Sequence, residues 1–300
     1  MDELVECLGL RELLDAGGFK GITNFEAIYD EMSSSGETPS LVAEIEQRVL
    51  DYFDSLRLPE SVNLYDLLLL SLREKDFIAS FNWDPFLIQA YLRNGAHAPL
   101  PRLAFLHGNV AATACVKDRV KGIYGQRCRV CDLPFPRSRL LYPVKHKNYK
   151  ADPYIANEWH ELEIFMKEAY LLTVFGYAAP STDIEAVGLM NRIWGENPTF
   201  ELAQVSIVDI KPREELERTW EPFFCRSHYG IHKTLEHTWS FRYPRRSGEG
   251  LAMATLQNAP WKDNPFPSTK ALNDLHRWLE PLLEEERMGE FTGTPCPDVK

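Results

Sequence analysis

For its first 75 residues the chain repeats apolar positions at intervals of three and four. In "MDELVECLGLRELLDAGG", Leu4, Val5, Leu8 and Leu13 or Leu14 would share one helical face, and Gly17-Gly18 would end the run. "TNFEAIYDEM" predicts a second helix with Thr23 or Asn24 as its N-cap. "TPSLVAEIEQRVLDYFDSL" predicts a third, with Thr38 as cap and Pro39 at the first helical position. Its residues Leu41, Val42, Ile45, Val49, Leu50 and Phe53 fit one broad face, and residues 61–73 read as a fourth helix.

Beyond residue 75 the texture changes. Short apolar runs, "FIASF", "RLAFL", "YLLTVFGY" and "LAQVSIVDI", are each strand-length. Helical patterns follow: "PFLIQAYLRNG" after the first, then residues 183–194 and 213–223 after the last two. Apolar runs each followed by a helix predict βαβ units and a largely parallel sheet covered by helices, an α/β fold of Rossmann-like type. Residues 116–156, rich in Pro and Arg, interrupt that rhythm and read as a loop-rich insertion carrying one CxxC pair, Cys128 and Cys131. The segment "HYGIHKTLEHTWSFRYPRR" resists assignment, whereas "STKALNDLHRWLEPLLEEER" is amphipathic and predicts a bracing helix. The expected division is an α/β domain over residues 1–224, insertion included, and a C-terminal extension over residues 225–300.

Composition narrows the class. The chain has 300 residues, 44% of them hydrophobic, and a net charge of −11, which argues against general nucleic-acid binding. The N-terminus shows no secretory pattern, and "YDLLLLSLREKDF" is too short to span a bilayer, so a cytoplasmic, membrane-free location is expected. Residues 117–150 are the exception to the acidic balance, with ten Lys or Arg against two Asp. They form either a solvated basic flap or one that attracts phosphate-bearing ligands or an acidic partner. In a reducing compartment the CxxC pair points to metal or redox chemistry before a disulfide, with a structural zinc as one reading and a metal-free remnant as the other. Cys115 and His146 are the candidates for a third and fourth ligand. His228, His232 and His237 have no carboxylate or Cys arranged with them and read as surface or packing residues.

The strand-length runs end in polar and small residues: Asn82 and Asp84, His107 and Gly108, Gly176 and Tyr177, and Asp209. In an open parallel sheet, ligands bind outside these carboxyl ends. Each residue has a structural alternative, and Asp84 before Pro85 suits a helix cap. Together they outline a site in which His107 can give or take a proton near neutral pH.

"SFNWD", "FLHG" and "LTVFGYAAPSTDIEA", in that order with a CxxC-bearing insertion between the second and third, resemble the sirtuin-like NAD-consuming fold over roughly residues 24–217. The resemblance is to the divergent branch found in prokaryotic defence systems more than to protein deacylases. It implies NAD as substrate or ligand and hydrolysis of the nicotinamide N-glycosidic bond. In that reading Asn82 positions the attacking water, Asp84 holds the nicotinamide carboxamide and His107 is the general base. Gly108, Gly176, Tyr177 and Ser181 line the cofactor with Asp183, which could equally cap a helix, and Asp209 grips the adenosine ribose. The family's opening strand and GAG-x-S phosphate loop are not found in the sequence. A domain without them would leave two strand edges exposed. The alternatives that follow are a non-catalytic nucleotide-binding or protein-interaction module, a homo-oligomer among them, and, third, an NAD-dependent deacylase.

Overall fold

The computed structural model describes residues 2–19, 25–35, 39–142, 144, 148–180, 183–257 and 261–297. Thr23, Asn24, Thr38, His146 and Ser181 lie outside them.

The first helical run is two helices, α1 (Asp2–Cys7) and α2 (Arg11–Ala16). Gly9 stands between them at φ +59, and the Leu10 N–H returns to the Val5 carbonyl. Glycine enters that left-handed conformation without steric cost, so periodicity continues across a break it cannot reveal. Helices α3 (Phe25–Ser35) and α4 (Pro39–Ser55) pack with them around Leu10, Leu14, Phe25, Ile28, Ile45 and Val49. Helix α5 (Leu64–Leu70) starts at a reciprocal cap in which Asn63 accepts from Tyr65 and Asp66 accepts from the Asn63 N–H.

Five parallel strands follow in two groups. Strand β1 (Phe77–Ser80) leads through α6 (Phe86–Asn94) to β2 (Arg102–Phe105), with Phe77 opposite Arg102 and Ser80 opposite Phe105. The insertion supplies an antiparallel hairpin, β3 (Ala112–Ala114) with β4 (Lys121–Ile123). Helix α7 (Pro153–Glu168) then begins where Asp152 accepts from the N–H groups of Tyr154 and Ile155, with Pro153 in the first turn. It delivers β5 (Leu171–Phe175), followed by α8 (Ile184–Gly195), β6 (Gln204–Val208), α9 (Arg213–Trp220) and β7 (Tyr229–His232). The order of the second group is β5-β6-β7. The β7 residues Tyr-Gly-Ile-His come from the stretch that hydrophobic pattern could not assign.

One core serves both groups. Ala104 and Leu106 from the first, and Val205 and Ile207 from the second, bury against Ile155, Trp159, Leu162 and Met166 of α7. The α/β architecture is therefore the one the alternation predicted, with parallel strands flanked by helices. Among the described residues, no helix is long and apolar enough to cross a membrane.

The chain closes with α10 (Trp239–Arg242), α11 (Ser247–Gln257) and α12 (Leu272–Met288). Leu275, Trp278, Leu279 and Leu282 of α12 share one face and pack on Leu69 and Leu70 of α5 and Leu87 and Ala90 of α6. Full burial of each such side chain stabilises by about 1.5–3 kcal/mol. Arg245 fixes the far end of α12. Its side chain is wholly buried, bonds both oxygens of Glu286 and donates to the carbonyls of Leu72 and Pro99. Arg246 lies 2.8 Å from Glu285 and donates to the Thr294 carbonyl.

His276 is the polar tie at the other end. Its Nε2 lies 2.7 Å from Asn94 Oδ1, and the Asn94 amide nitrogen donates to Asp66 and Ala90, so His276 is the donor. The His97 ring stacks on it at 3.8 Å. Burial lowers the His276 pKa, with His97 and Arg93 reinforcing and Asp66 opposing. A histidine depressed in the folded state contributes stability that is present above its unfolded value, about 6.5, and lost as pH falls through the depressed folded one. The urea midpoint should therefore fall between about pH 7.5 and pH 5.5, and fall less in His276→Gln. An equally steep fall in that variant would place the titration elsewhere.

Candidate functional site

The carboxyl ends of β1, β2 and β5 converge. Phe81, one residue past β1, stacks on Tyr177 at 4.3 Å and meets the His107 ring edge-on at 4.7 Å. Tyr149 lies parallel to His107, with ring centroids 6.0 Å apart. His107 is only 6% exposed, and its Nε2 lies 3.9 Å from an oxygen of the buried Asp183. The other Asp183 oxygen accepts from the Tyr177 hydroxyl at 3.1 Å. Burial and then the Asp183 charge push the Tyr177 pKa far above its usual value, so this hydroxyl keeps its proton. An imidazole, a carboxylate facing it and a hydroxyl fixed to that carboxylate thus lie together among aromatic rings.

Local structure explains how each residue arrives. Asp183 precedes α8 at its N-cap, yet its side chain makes no capping bond there and turns to Tyr177 instead. Gly176 takes φ +63 immediately after β5 and bonds its N–H to Val208, which swings Tyr177 across toward Phe81. Asn109 is fully buried, and its amide nitrogen donates to the carbonyls of Asn82 and Asp84. Its carbonyl accepts from the N–H groups of Ala111 and Ala112, so it clamps the loop after β1 to the loop after β2.

Of the residues singled out in the sequence, His107, Tyr177 and Asp183 come together, and Asn82 and Asp84 sit on the neighbouring loop held by Asn109. Asn82 is exposed. Asp84 accepts from the Phe86 N–H, as a residue capping α6 would, and burial raises its pKa against that hydrogen bond. Gly108 has a constraint of its own. At φ +79, a Cβ there would lie 2.0 Å from the Arg139 carbonyl oxygen, so the insertion's return leg presses directly on it. Asp209 stands apart, half-buried past β6, where it closes a turn by accepting from the Lys211 N–H. Phe81, Asn109 and Tyr149 were not read from the sequence. Asn109 directly follows "FLHG" and is the one whose position gave a signal.

A second cluster lies in the insertion. The Cys115 N–H bonds the Val120 carbonyl, and the Arg119 N–H bonds the Cys115 carbonyl. Cys128 repeats both bonds at the same offsets, to Leu133 and from Asp132. Arg119 and Asp132 both take positive φ, at 55° and 59°. These are two copies of one turn, so Asp118 in the first stands where Cys131 stands in the second. Donor atoms of Cys115, Asp118, Cys128 and Cys131 all lie within 4.8 Å of one another. The Cys115 and Cys131 sulfurs are 3.5 Å apart, and Asp118 Oδ2 is 3.4 Å from the sulfurs of both Cys115 and Cys128. A tetrahedral zinc with bonds of about 2.3 Å to sulfur and 2.0 Å to oxygen has edges of roughly 3.5–3.8 Å, so the four donors fit. Backbone N–H groups of Asp118 and Val130 point at the Cys115 and Cys128 sulfurs. The donors also read each other's charge. Hydrogen bonding, first from Cys131, lowers the Asp118 pKa, and Asp118 in turn lifts Cys131 to about 12. Among the described residues the fourth donor is Asp118, and His146, the candidate from the sequence, lies outside them.

No protein-family model matches the chain, and no curated protein matches it significantly. Solved structures do match. Sir2 in complex with the inhibitor EX-527, 2'-O-acetyl-ADP-ribose and a deacetylated p53 peptide is 14% identical over 86% of this chain and 99% of its own, with a TM-score of 0.39. A Sir2 homolog–NAD complex is 11% identical over 71% of this chain and 76% of its own, with a TM-score of 0.40. Likeness this loose carries no argument about chemistry, which rests on the residues above.

Proposed function

We propose that the carboxyl edge of the sheet binds NAD or a related nucleotide and hydrolyses the nicotinamide N-glycosidic bond. The observation that carries the reading is the buried His107 facing Asp183 between aromatic walls, at the strand ends where open parallel sheets bind ligands. The motifs "SFNWD" and "FLHG", which prompted the expectation, supply Phe81, Asn82, Asp84 and His107 to this one region.

Nicotinamide is cationic in NAD and leaves neutral, so the site need only hold the sugar and stabilise a positively charged ribosyl centre. In this reading His107 takes a proton at Nε2 from the attacking water as the C–N bond breaks and the C–O bond forms. Asp183 stabilises the resulting imidazolium, and Tyr177 holds Asp183 in place. Asn82 orients the water, and Asp84 faces the carboxamide. In this reading Gly108, Gly176 and Tyr177 border the ligand, and Asp209 would accept from the ribose hydroxyls of a ligand that reaches past β6. The test is nicotinamide release from NAD by the purified protein. NAD binding without release would leave a nucleotide-binding module and remove the hydrolase.

The Cys115, Asp118, Cys128 and Cys131 set would hold a divalent ion such as zinc as a structural tie for the insertion. Elemental analysis should find about one zinc per chain, and a strong chelator should lower the melting midpoint. Asp118→Ala should lose the metal. Full metal content in that variant would remove Asp118 from the ligand set.

A further inference from the structure

The two turns that carry the metal donors are copies in backbone and unequal in chemistry. The first donor of each turn, Cys115 or Cys128, is buried. The second is half-buried in both, Asp118 in one turn and Cys131 in the other. The single oxygen donor therefore stands at a solvent-side position, flanked in the chain by the exposed Lys117 and Arg119.

Supporting contacts divide the same way. The Asp118 N–H donates to the Cys115 sulfur, and the Val130 N–H to the Cys128 sulfur. Phe135 packs with both cysteines in one buried cluster. The Asp118 carboxylate has no comparable support. Among the described residues its hydrogen-bond partners are sulfurs of the same set, with Cys115 and Cys128 both at 3.4 Å. Outer bonds hold a metal ligand in place, and losing them typically costs about 10- to 100-fold in metal affinity. Donor type acts in the same direction, because thiolates select zinc while carboxylates suit harder ions such as magnesium and calcium.

We propose that Asp118 makes the insertion an exchangeable zinc site, one that yields the ion to a competing ligand and takes it back while the α/β body stays folded. Asp118 is the donor that lets go, because it is solvent-side, held by no backbone N–H and the poorest match to zinc of the four. A cysteine there, on the same backbone, would give both turns two sulfurs and a tighter tie. Exchange is thus a property of this one side chain. Binding to the folded form alone stabilises in proportion to the logarithm of free ligand, so the order of the insertion would follow the zinc supply. This inference rests on the zinc reading above and is independent of whether NAD is turned over.

Zinc transfer from the whole, zinc-loaded protein to the chromophoric chelator pyridylazoresorcinol tests it, with Asp118→Cys and Asp118→Asn as comparisons. Elemental analysis before transfer establishes the zinc content of each. The native protein should pass its zinc to the chelator with its far-UV circular dichroism unchanged, and added zinc should reload it in full. Asp118→Cys should transfer at least about tenfold more slowly, and Asp118→Asn, which keeps the shape and weakens the donor, faster than native. Three results would overturn the proposal: equal transfer rates in the native protein and both variants, faster transfer from Asp118→Cys, or release from the native protein only as it unfolds. A native protein that takes up no zinc from excess would fail the zinc reading itself, and this inference with it.

Discussion

Replacing His107 with alanine should cut nicotinamide release from NAD about 10²- to 10⁴-fold, the usual range for loss of a general base. The ring is buried beside Phe81 and Tyr149, so the alanine variant also leaves a cavity, and a fall in activity alone would not separate chemistry from packing. His107→Asn fills most of that space and cannot accept the proton, so it should lose nearly as much rate while keeping the melting midpoint closer to native. The pH profile supplies the second separation. If His107 is the base, the limb of the profile that reports a general base disappears in the asparagine variant. Asn82→Ala, which alters an exposed side chain, should lower the rate without touching stability. Release undiminished in both His107 variants would mean that the chemistry happens elsewhere.

Arg245→Ala carries the largest expected loss of stability. Its guanidinium is fully buried and bonds both oxygens of Glu286, the Leu72 carbonyl and the Pro99 carbonyl. Truncation leaves Glu286 charged and largely buried, and orphans two carbonyls. Breaking a buried pair in this way costs about 3–5 kcal/mol. The urea midpoint should drop accordingly, and the exposed pair Arg127–Asp132 provides the comparison, since Arg127→Ala should leave the midpoint unchanged. Arg245→Lys should not rescue, because one ammonium cannot reproduce the guanidinium fork. A small drop in Arg245→Ala would mean that α12 is held by its apolar face alone.

The parts legible in sequence were those encoded by local pattern. Each strand run of the α/β alternation, each strand end at Asn82, His107, Gly176 and Asp209, and the apolar positions Leu275 to Leu282 of α12 can be read within a short local window. What escaped notice depends on contacts between distant segments or on a residue type not searched for. His107 meets Asp183 only because Gly176 turns the chain after β5, and nothing in "FLHG" names that partner. Asp118 was passed over because metal ligands were sought among Cys and His, although "CVKD" and "CRVC" share one spacing. The Tyr-Gly-Ile-His strand β7 stayed hidden because its side chains are half-buried and lack an apolar run.

Gly108 carries a lesson for comparing relatives of this chain. Its absent Cβ makes room for the carbonyl of Arg139, and the neighbouring His107 carbonyl accepts from the Leu141 N–H at 2.9 Å. A single added methyl group would force the insertion off the strand end that carries His107. Evolution would thus hold this glycine fixed whether or not the site beside it binds a ligand. An unchanging Gly at this position records the anchoring of the insertion, and the proposed chemistry is better judged from His107 and Asp183.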